Sequence, residues 1–428
     1  MNTPPMSGWG RLRTEPPSQV LAHDWRFEPL PPATAPMLAI GRRRSYGDSC
    51  VNERGTLLCT RRLDRLIAFD SVTGLLDCEP GVTLGEILRA ALPRGWYLPV
   101  VPGTQHVSVG GAVANDVHGK NHVRMGSFGC HVQEITLRRS DRGDVLCSPT
   151  VEPELFAATI GGLGLTGLLI SVRIALKPVP GARMCVDERP FGSLEEYSAL
   201  LLQNRDREYS VAWVDASRLN RGCRGLLSFA DHVPGGSTAP RASIDVPITP
   251  LVSLINSASA WCLSRTYAAF RARHARTHEI DHAPYFFPLD GLGGWNRLYG
   301  RHGFRQYQCV VPEPAAAQGC AEILRAVQSS GRISPLIVLK DFGPRRSPGL
   351  LSFPREGLTL AMDFPEHQAL RGLFDRLDAI VREHDGALYP AKDSRMSTTM
   401  FRASFPQFER FCVQLDPAFS SSFWERVR

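Results

Sequence analysis

Apolar and polar positions alternate along LLISVRIALK at 168–177, the period of a strand with one covered face. The stretches YSVAWVDA and FRQYQCVVP likewise read as strands, and MLAI at 37–40 as a short one. Helical spacing takes over near 251–275, 313–330 and 366–384, and briefly in PELFAATI. Thr83 followed by Glu86 forms a capping box ahead of an apolar run, which predicts a helix beginning near Thr83. Strands and helices mix without an internal repeat, so the pattern predicts an α+β chain.

A Pro-rich, irregular segment fills residues 1–36, and Gly-rich stretches fill 41–49 and 102–129. The character changes near Pro178–Gly181, a linker-like segment runs over 231–243, and the tail from Leu388 carries two short helical pieces. At 428 residues the chain is too long for one ordinary domain. Its 43% apolar and 21% charged residues exclude wholesale disorder. A net charge of +7 suits an anionic ligand or a membrane surface. With no basic block and no zinc-finger spacing, it excludes a nucleic-acid reader. Eleven Cys without C-x-x-C read as reduced thiols. With no apolar leader and no run of about 18 apolar residues, a cytoplasmic protein is expected, with peripheral contact at the inner membrane.

One count changes the picture. Of 49 basic residues only four are Lys: Lys120, Lys177, Lys340 and Lys392. A surviving Lys is a candidate for work that needs a compact, tunable amine rather than a guanidinium. GLGLTG at 162–167 fits a dinucleotide fingerprint formally, but a helix precedes it and a strand follows, so a tight turn is the better reading. The two Gly-rich stretches together suggest turns whose backbone N–H groups cradle a pyrophosphate. HGKNH packs His118, Lys120 and His122 into five residues. Its glycines favour a loop facing a cofactor over a helical metal grip, and no metal site is expected. His274, His278 and His282, four apart, predict a solvated basic helix face; with Leu251, Leu254, Ile255, Trp261 and Phe270 the stretch could also rest on a membrane.

GRRRSYGDS, PGTQHVSVGGAVANDVHGKNHVRMGSFG, IGGLGLTG, PLDGLGGWNRLYG, FRQYQ, VLKDFG and YPAKDSR occur in the order seen in one family. Across nearly its whole length the chain resembles the FAD-linked oxidases of the vanillyl-alcohol-oxidase, or PCMH, type. The resemblance implies a two-domain α+β fold. Residues 1–179 would form the FAD domain, 180–387 a substrate domain with an antiparallel sheet flanked by helices, and 388–428 a segment returning to the FAD domain. It implies oxidation of a secondary alcohol of a lipid-phosphate-linked pentose, with flavin N5 taking the hydride. A short-chain reductase partner would complete an epimerisation.

The family's FAD contacts carry over onto Ala39, Ile40, Gly41, Arg42, Arg43, Arg44, Ser45, Tyr46, Gly47, Asp48 and Ser49. They continue onto Gly103, Ser108, Val109, Gly110, Gly111, Asn115, Asp116, Val117, His118, Leu169 and Tyr389. Tyr46 stands where covalently flavinylated relatives carry a His, so noncovalent FAD is expected. The substrate-side residues fall on Tyr46, Lys120, Trp213, Gln306, Gln308, Lys340 and Ala361. Lys392 and His118 are the alternative catalytic bases. Some members carry a Cys at the position of Ala361, so nitroaromatic inhibitors that attach there are expected not to attach here. The stretch between GWGR and GRRRSYGD is short for the family, and a helix there is expected to be missing or rearranged. A soluble sugar, aldonolactone or nucleoside as substrate, and a flavoprotein partner without turnover, are the alternatives.

Overall fold

The computed structural model describes residues 6–32, 34–215, 223–239, 242–274 and 276–428; of residues 263 and 267–274 it describes the backbone alone. Parallel strands β1 (Gln19–Ala22), β2 (Met37–Ile40) and β3 (Thr56–Cys59) form a small sheet in the order β1-β3-β2. Beside it lies an antiparallel sheet of β4 (Leu66–Phe69), β5 (Leu75–Cys78), β6 (Val132–Arg139), β7 (Gly143–Cys147) and β8 (Leu168–Ala175), in the order β4-β5-β8-β6-β7. Helix α1 (Leu84–Ala91) begins at the expected capping box: Glu86 N donates to Thr83 Oγ1, and Thr83 N donates to Glu86 Oε2 at 2.7 Å. Helix α2 (Val109–Ala114) follows N-cap Ser108. Between residues 11 and 36 the described residues hold β1 and no helix.

The central part is built on an eight-stranded antiparallel sheet. Its strands are β9 (Arg183–Phe191), β10 (Tyr209–Val214), β11 (Gly225–Val233), β12 (Thr277–Asp281), β13 (Phe304–Pro312), β14 (Ile337–Phe342), β15 (Gly357–Pro365) and β16 (Ala387–Leu388). Their order is β12-β9-β11-β10-β14-β15-β13-β16. Because side chains alternate between faces, each strand divides its residues between two environments. Ala212, Leu227, Tyr307, Leu339 and Met362 enter a core closed by helices α3 (Leu194–Gln203), α5 (Ala316–Ser329) and α6 (Leu370–Glu383). Helix α4 (Ser257–His274) lies across the other face, with Ala260 and Ser264 buried.

The tail returns to the first sheet, where Met37 N donates to the Ala418 carbonyl and Ser420 N to the Met37 carbonyl. It carries three short helices, Thr398–Ser404, Phe408–Cys412 and Ser422–Val427, one more than the sequence suggested.

The four-residue histidine spacing is not a helix face. His274 ends α4, with a side chain outside the described residues, as is that of Phe270. His278 lies in β12, whose THEID sequence pairs with Arg183–Asp187 of β9. His282 starts the next helical turn, buried with Nδ1 3.2 Å from Tyr97 Oη. Residues 240 and 241 of the expected linker also lie outside the described residues.

Candidate active site

A cavity of about 1180 Å³ lies between the glycine-rich turns and the open face of the large sheet. That exceeds the usual range of a small-ligand pocket, about 300–1,000 Å³, and leaves room for a dinucleotide and a second molecule. One wall is the turn after β2, from Ala39 to Tyr46 with Ser49, together with Gly103, Ser108, Gly110, Gly111, Asn115, Val117, His118, Leu169 and Tyr389. The opposite wall is the sheet: Gln306 and Gln308 of β13, Ala361 of β15, Lys340 of β14 and Trp213 of β10, with Lys120 and Lys392 between. Gly47, Asp48, Val109 and Asp116 stand behind this wall. Asp48 is clamped by Arg426 at 2.8 Å, and Asp116 accepts from Gly129 N and Ser352 Oγ. These two carboxylates hold the turns in place from outside.

The glycines work by close approach rather than by presenting free amides. Gly110 N donates to the Pro80 carbonyl and Gly111 N to Ser108 Oγ. A Cβ on Gly41 would lie 2.2 Å from Ser108 Oγ, so any larger residue there must displace the side chain that caps α2.

Do these residues fit FAD? Several buried polar atoms on the cavity wall lack protein partners: the Nε atoms of Arg42, Arg43 and Arg44, Ser49 Oγ and Asn115 Oδ1. Buried polar groups demand hydrogen bonds; the guanidinium and hydroxyl donors are of the kind that bind phosphate, and Asn115 Oδ1 is left to accept. The set fits a dinucleotide whose pyrophosphate lies along the arginine turn.

Across the cavity the scarce lysines converge. Burial brings Lys120 down to about 7, and brings Lys340 to about 7 with help from the charges of Lys120 and Lys392. Lys120 donates to the Tyr285 carbonyl and lies 4.0 Å from the Tyr285 ring centroid. Lys340 Nζ is 2.9 Å from His118 Nδ1, and Gln308 Nε2 is 2.9 Å from His118 Nε2. Burial, then Lys340, His122 and Lys392, hold His118 well below its ordinary value, so the ring is neutral. Phe342, Phe353 and Tyr389 enclose it. His122 packs on Phe342 and is driven down to about 3, chiefly by burial. The fourth lysine, Lys177, is paired with Glu208.

Lys392 Nζ sits 3.5 Å from the Tyr46 ring centroid and makes no hydrogen bond among the described residues. Burial lowers it, and the charge of Asp363 partly restores it. Asp363, itself raised by burial, accepts from Gln306 Nε2 at 2.5 Å, directly across the β13–β15 register. Asp363 and Asp290 were not among the sequence candidates. Asp290 lines the cavity and accepts from Gln105 N. Asp290 lies in the PLDGLGGWNRLYG motif quoted above and Asp363 in LTLAMDFP of β15, but nothing local marks the first as lining the site or the second as lying just behind its wall.

Ala361 lines the cavity with a methyl group. Cys50 is the thiol on the cavity wall, and burial pushes it up to about 12, far from a reactive thiolate. Incubation with a thiol-directed nitroaromatic inhibitor and substrate is therefore expected to leave the intact mass unchanged. A stoichiometric adduct mapped to this cavity would contradict that.

A family profile described as an FAD binding domain matches residues 32–146. Decaprenylphosphoryl-beta-D-ribose oxidase of Mycolicibacterium smegmatis is 36% identical over 416 residues, 92% of this chain and 89% of that protein. An uncharacterised Streptomyces coelicolor protein is 32% identical over 81% of this chain and 100% of its own length. A putative D-arabinono-1,4-lactone oxidase of Neurospora crassa is 27% identical over 32% of this chain and 26% of that protein. A cavity walled by glycine turns and unpaired guanidinium donors thus meets a likeness that runs nearly end to end, and the chain belongs to the PCMH-type FAD oxidase family, as an FAD-dependent oxidoreductase of the decaprenylphosphoryl-ribose oxidase kind.

Proposed function

We propose that this oxidoreductase converts a secondary alcohol of a polyprenyl-phosphate-linked pentose to a ketone, the first half of a 2′-epimerisation, with FAD held noncovalently. A short-chain reductase would supply the second half. The observation that carries this reading is the meeting of three of the chain's four lysines, all half-buried, with Gln306 and Gln308 around one cavity. Such a cluster repels itself and calls for an anion, which the phosphate of a lipid-linked sugar supplies. The Mycolicibacterium relative, named for such a substrate, supports the choice.

Bound along the arginine turn, FAD supplies the acceptor for the hydride that leaves the carbinol carbon. The chain's own residues orient the sugar and receive the hydroxyl proton. Both ring nitrogens of His118 are engaged by Lys340 and Gln308, so His118 positions these two side chains. Lys392, lowered by burial and with an Nζ that makes no hydrogen bond among the described residues, takes the proton at that atom. Gln306 and Asp363 fix the wall beside it. Lys120 and Lys340 face the phosphate and the sugar hydroxyls.

The test is anaerobic. Purified yellow protein mixed with a polyprenyl-phosphate ribose should lose its flavin absorbance within the time of one turnover. Bleaching by a soluble pentose or aldonolactone alone would overturn the lipid-phosphate assignment. Bleaching by neither would leave a flavoprotein without this activity.

A further inference from the structure

The cavity does not stop at the lysines. It continues across β10, β11, β9 and β12, where Val211, Leu226, Val186 and Ile280 line it together with Glu188, Ser228 and His278. At ~4.8 Å per strand that arm is about 14 Å long. Its roof is α4 and the loop before it: Ser264 of α4, with Ser243 and Asp245, faces the cavity. The roof is anchored, since Arg11 donates to Thr249, Arg297 donates to the Val246 carbonyl, and Leu254 N donates to the Leu298 carbonyl.

The outer side of this roof has an unusual surface. Ile244, Ile248, Leu251, Val252, Leu254 and Trp261 are all exposed, several by 70% or more, within a short span of chain. Scattered exposed apolar residues are normal, but a cluster beside a cavity is not. The charge is equally one-sided. From 244 to 278 the sequence carries Arg265, Arg271, Arg273 and Arg276 against a single carboxylate, Asp245, which turns to the cavity. Arg265 lies over the Trp261 ring at 5.2 Å. Apolar side chains that enter an acyl boundary, flanked by cations, are what an anionic bilayer surface binds.

We propose that α4 and the 244–254 loop form a docking surface for an anionic phospholipid membrane, placing this arm of the cavity at the bilayer so that a lipid-linked substrate passes from one to the other. The lipid-linked substrate rests on the function proposed above; the membrane contact does not.

The test separates the two. FAD-loaded protein is spun down with vesicles of phosphatidylglycerol and phosphatidylcholine, or of phosphatidylcholine alone. The protein should pellet with the first and much less with the second. The double variant Leu251→Asp, Val252→Asp, altered at exposed positions away from the cavity wall, should stay in the supernatant. With a long-chain polyprenyl-phosphate pentose in vesicles its KM should rise about tenfold, while kcat on a short-chain, water-soluble analogue stays unchanged. Wild-type protein left in the supernatant overturns the proposal. So do a variant that pellets like wild type, and a dimer dispersed by the same substitutions. If no pentosyl lipid bleaches the flavin, the sedimentation result still stands and only the function fails.

Discussion

Lys392→Ala should keep its flavin and lose the ability to have it reduced by substrate. The Nζ atom packs on the Tyr46 ring and makes no hydrogen bond to the arginine side chains of that turn among the described residues, so FAD content should match wild type. Removing a positioned proton acceptor costs roughly 10²–10⁴-fold, and the single-turnover reduction rate should fall by that much. Lys392→Arg should fail as completely, because a guanidinium does not lose its proton in a protein. Wild-type reduction should quicken as pH rises and Lys392 becomes neutral. Asp363 holds the amine's affinity for its proton up, against burial. Asp363→Asn should therefore move the acid limb of the rate profile to lower pH. Rapid mixing across a pH series checks each point. An unchanged rate in Lys392→Ala, or a limb displaced upward in Asp363→Asn, would remove Lys392 from the proton's path.

The second large effect is expected from a residue that touches neither flavin nor sugar. A Cβ on Gly47 would lie 1.5 Å from the Asp393 carbonyl oxygen. That contact is backbone and has no side chain to yield. Here the arginine turn and the lysine-bearing tail are joined: Tyr46 N donates to the Ala391 carbonyl at 2.8 Å, and Arg426 bridges Asp48 and Asp393. Gly47→Ala must part the two segments, at a cost of about 3 kcal/mol or more. Both the FAD wall and Lys392 should shift. The purified variant should have a low ratio of flavin to protein absorbance and a Tm several degrees down. Full flavin occupancy with an unchanged Tm would falsify this account.

Much of this was legible because local signals and the final fold agree. The Thr83–Glu86 capping box starts a helix, LLISVRIAL is a strand, and three of the four scarce lysines that the sequence singles out line one cavity. What was not legible is what tertiary contact decides. The histidines at 274, 278 and 282 share a helical spacing, yet THEID is taken up as the edge strand of a sheet whose partner lies some 90 residues earlier. Asp363 looks like any strand aspartate until β13 and β15 bring Gln306 opposite it. Gly47 resembles its neighbouring glycines, and only the returning tail shows that it has no room for a methyl. The choice between Lys392 and His118 likewise depends on partners 190 and 222 residues from His118.

The alternation of the eight-stranded sheet has an evolutionary consequence. Residues facing the ligand and residues holding the fold occupy opposite parities on the same strands, as with Trp213 beside Val214, and Leu226 and Ser228 on either side of Leu227. A lineage can exchange every second residue of β9 to β12 and acquire a new aglycone, while the interleaved set, and the redox half of the molecule, inherit unchanged.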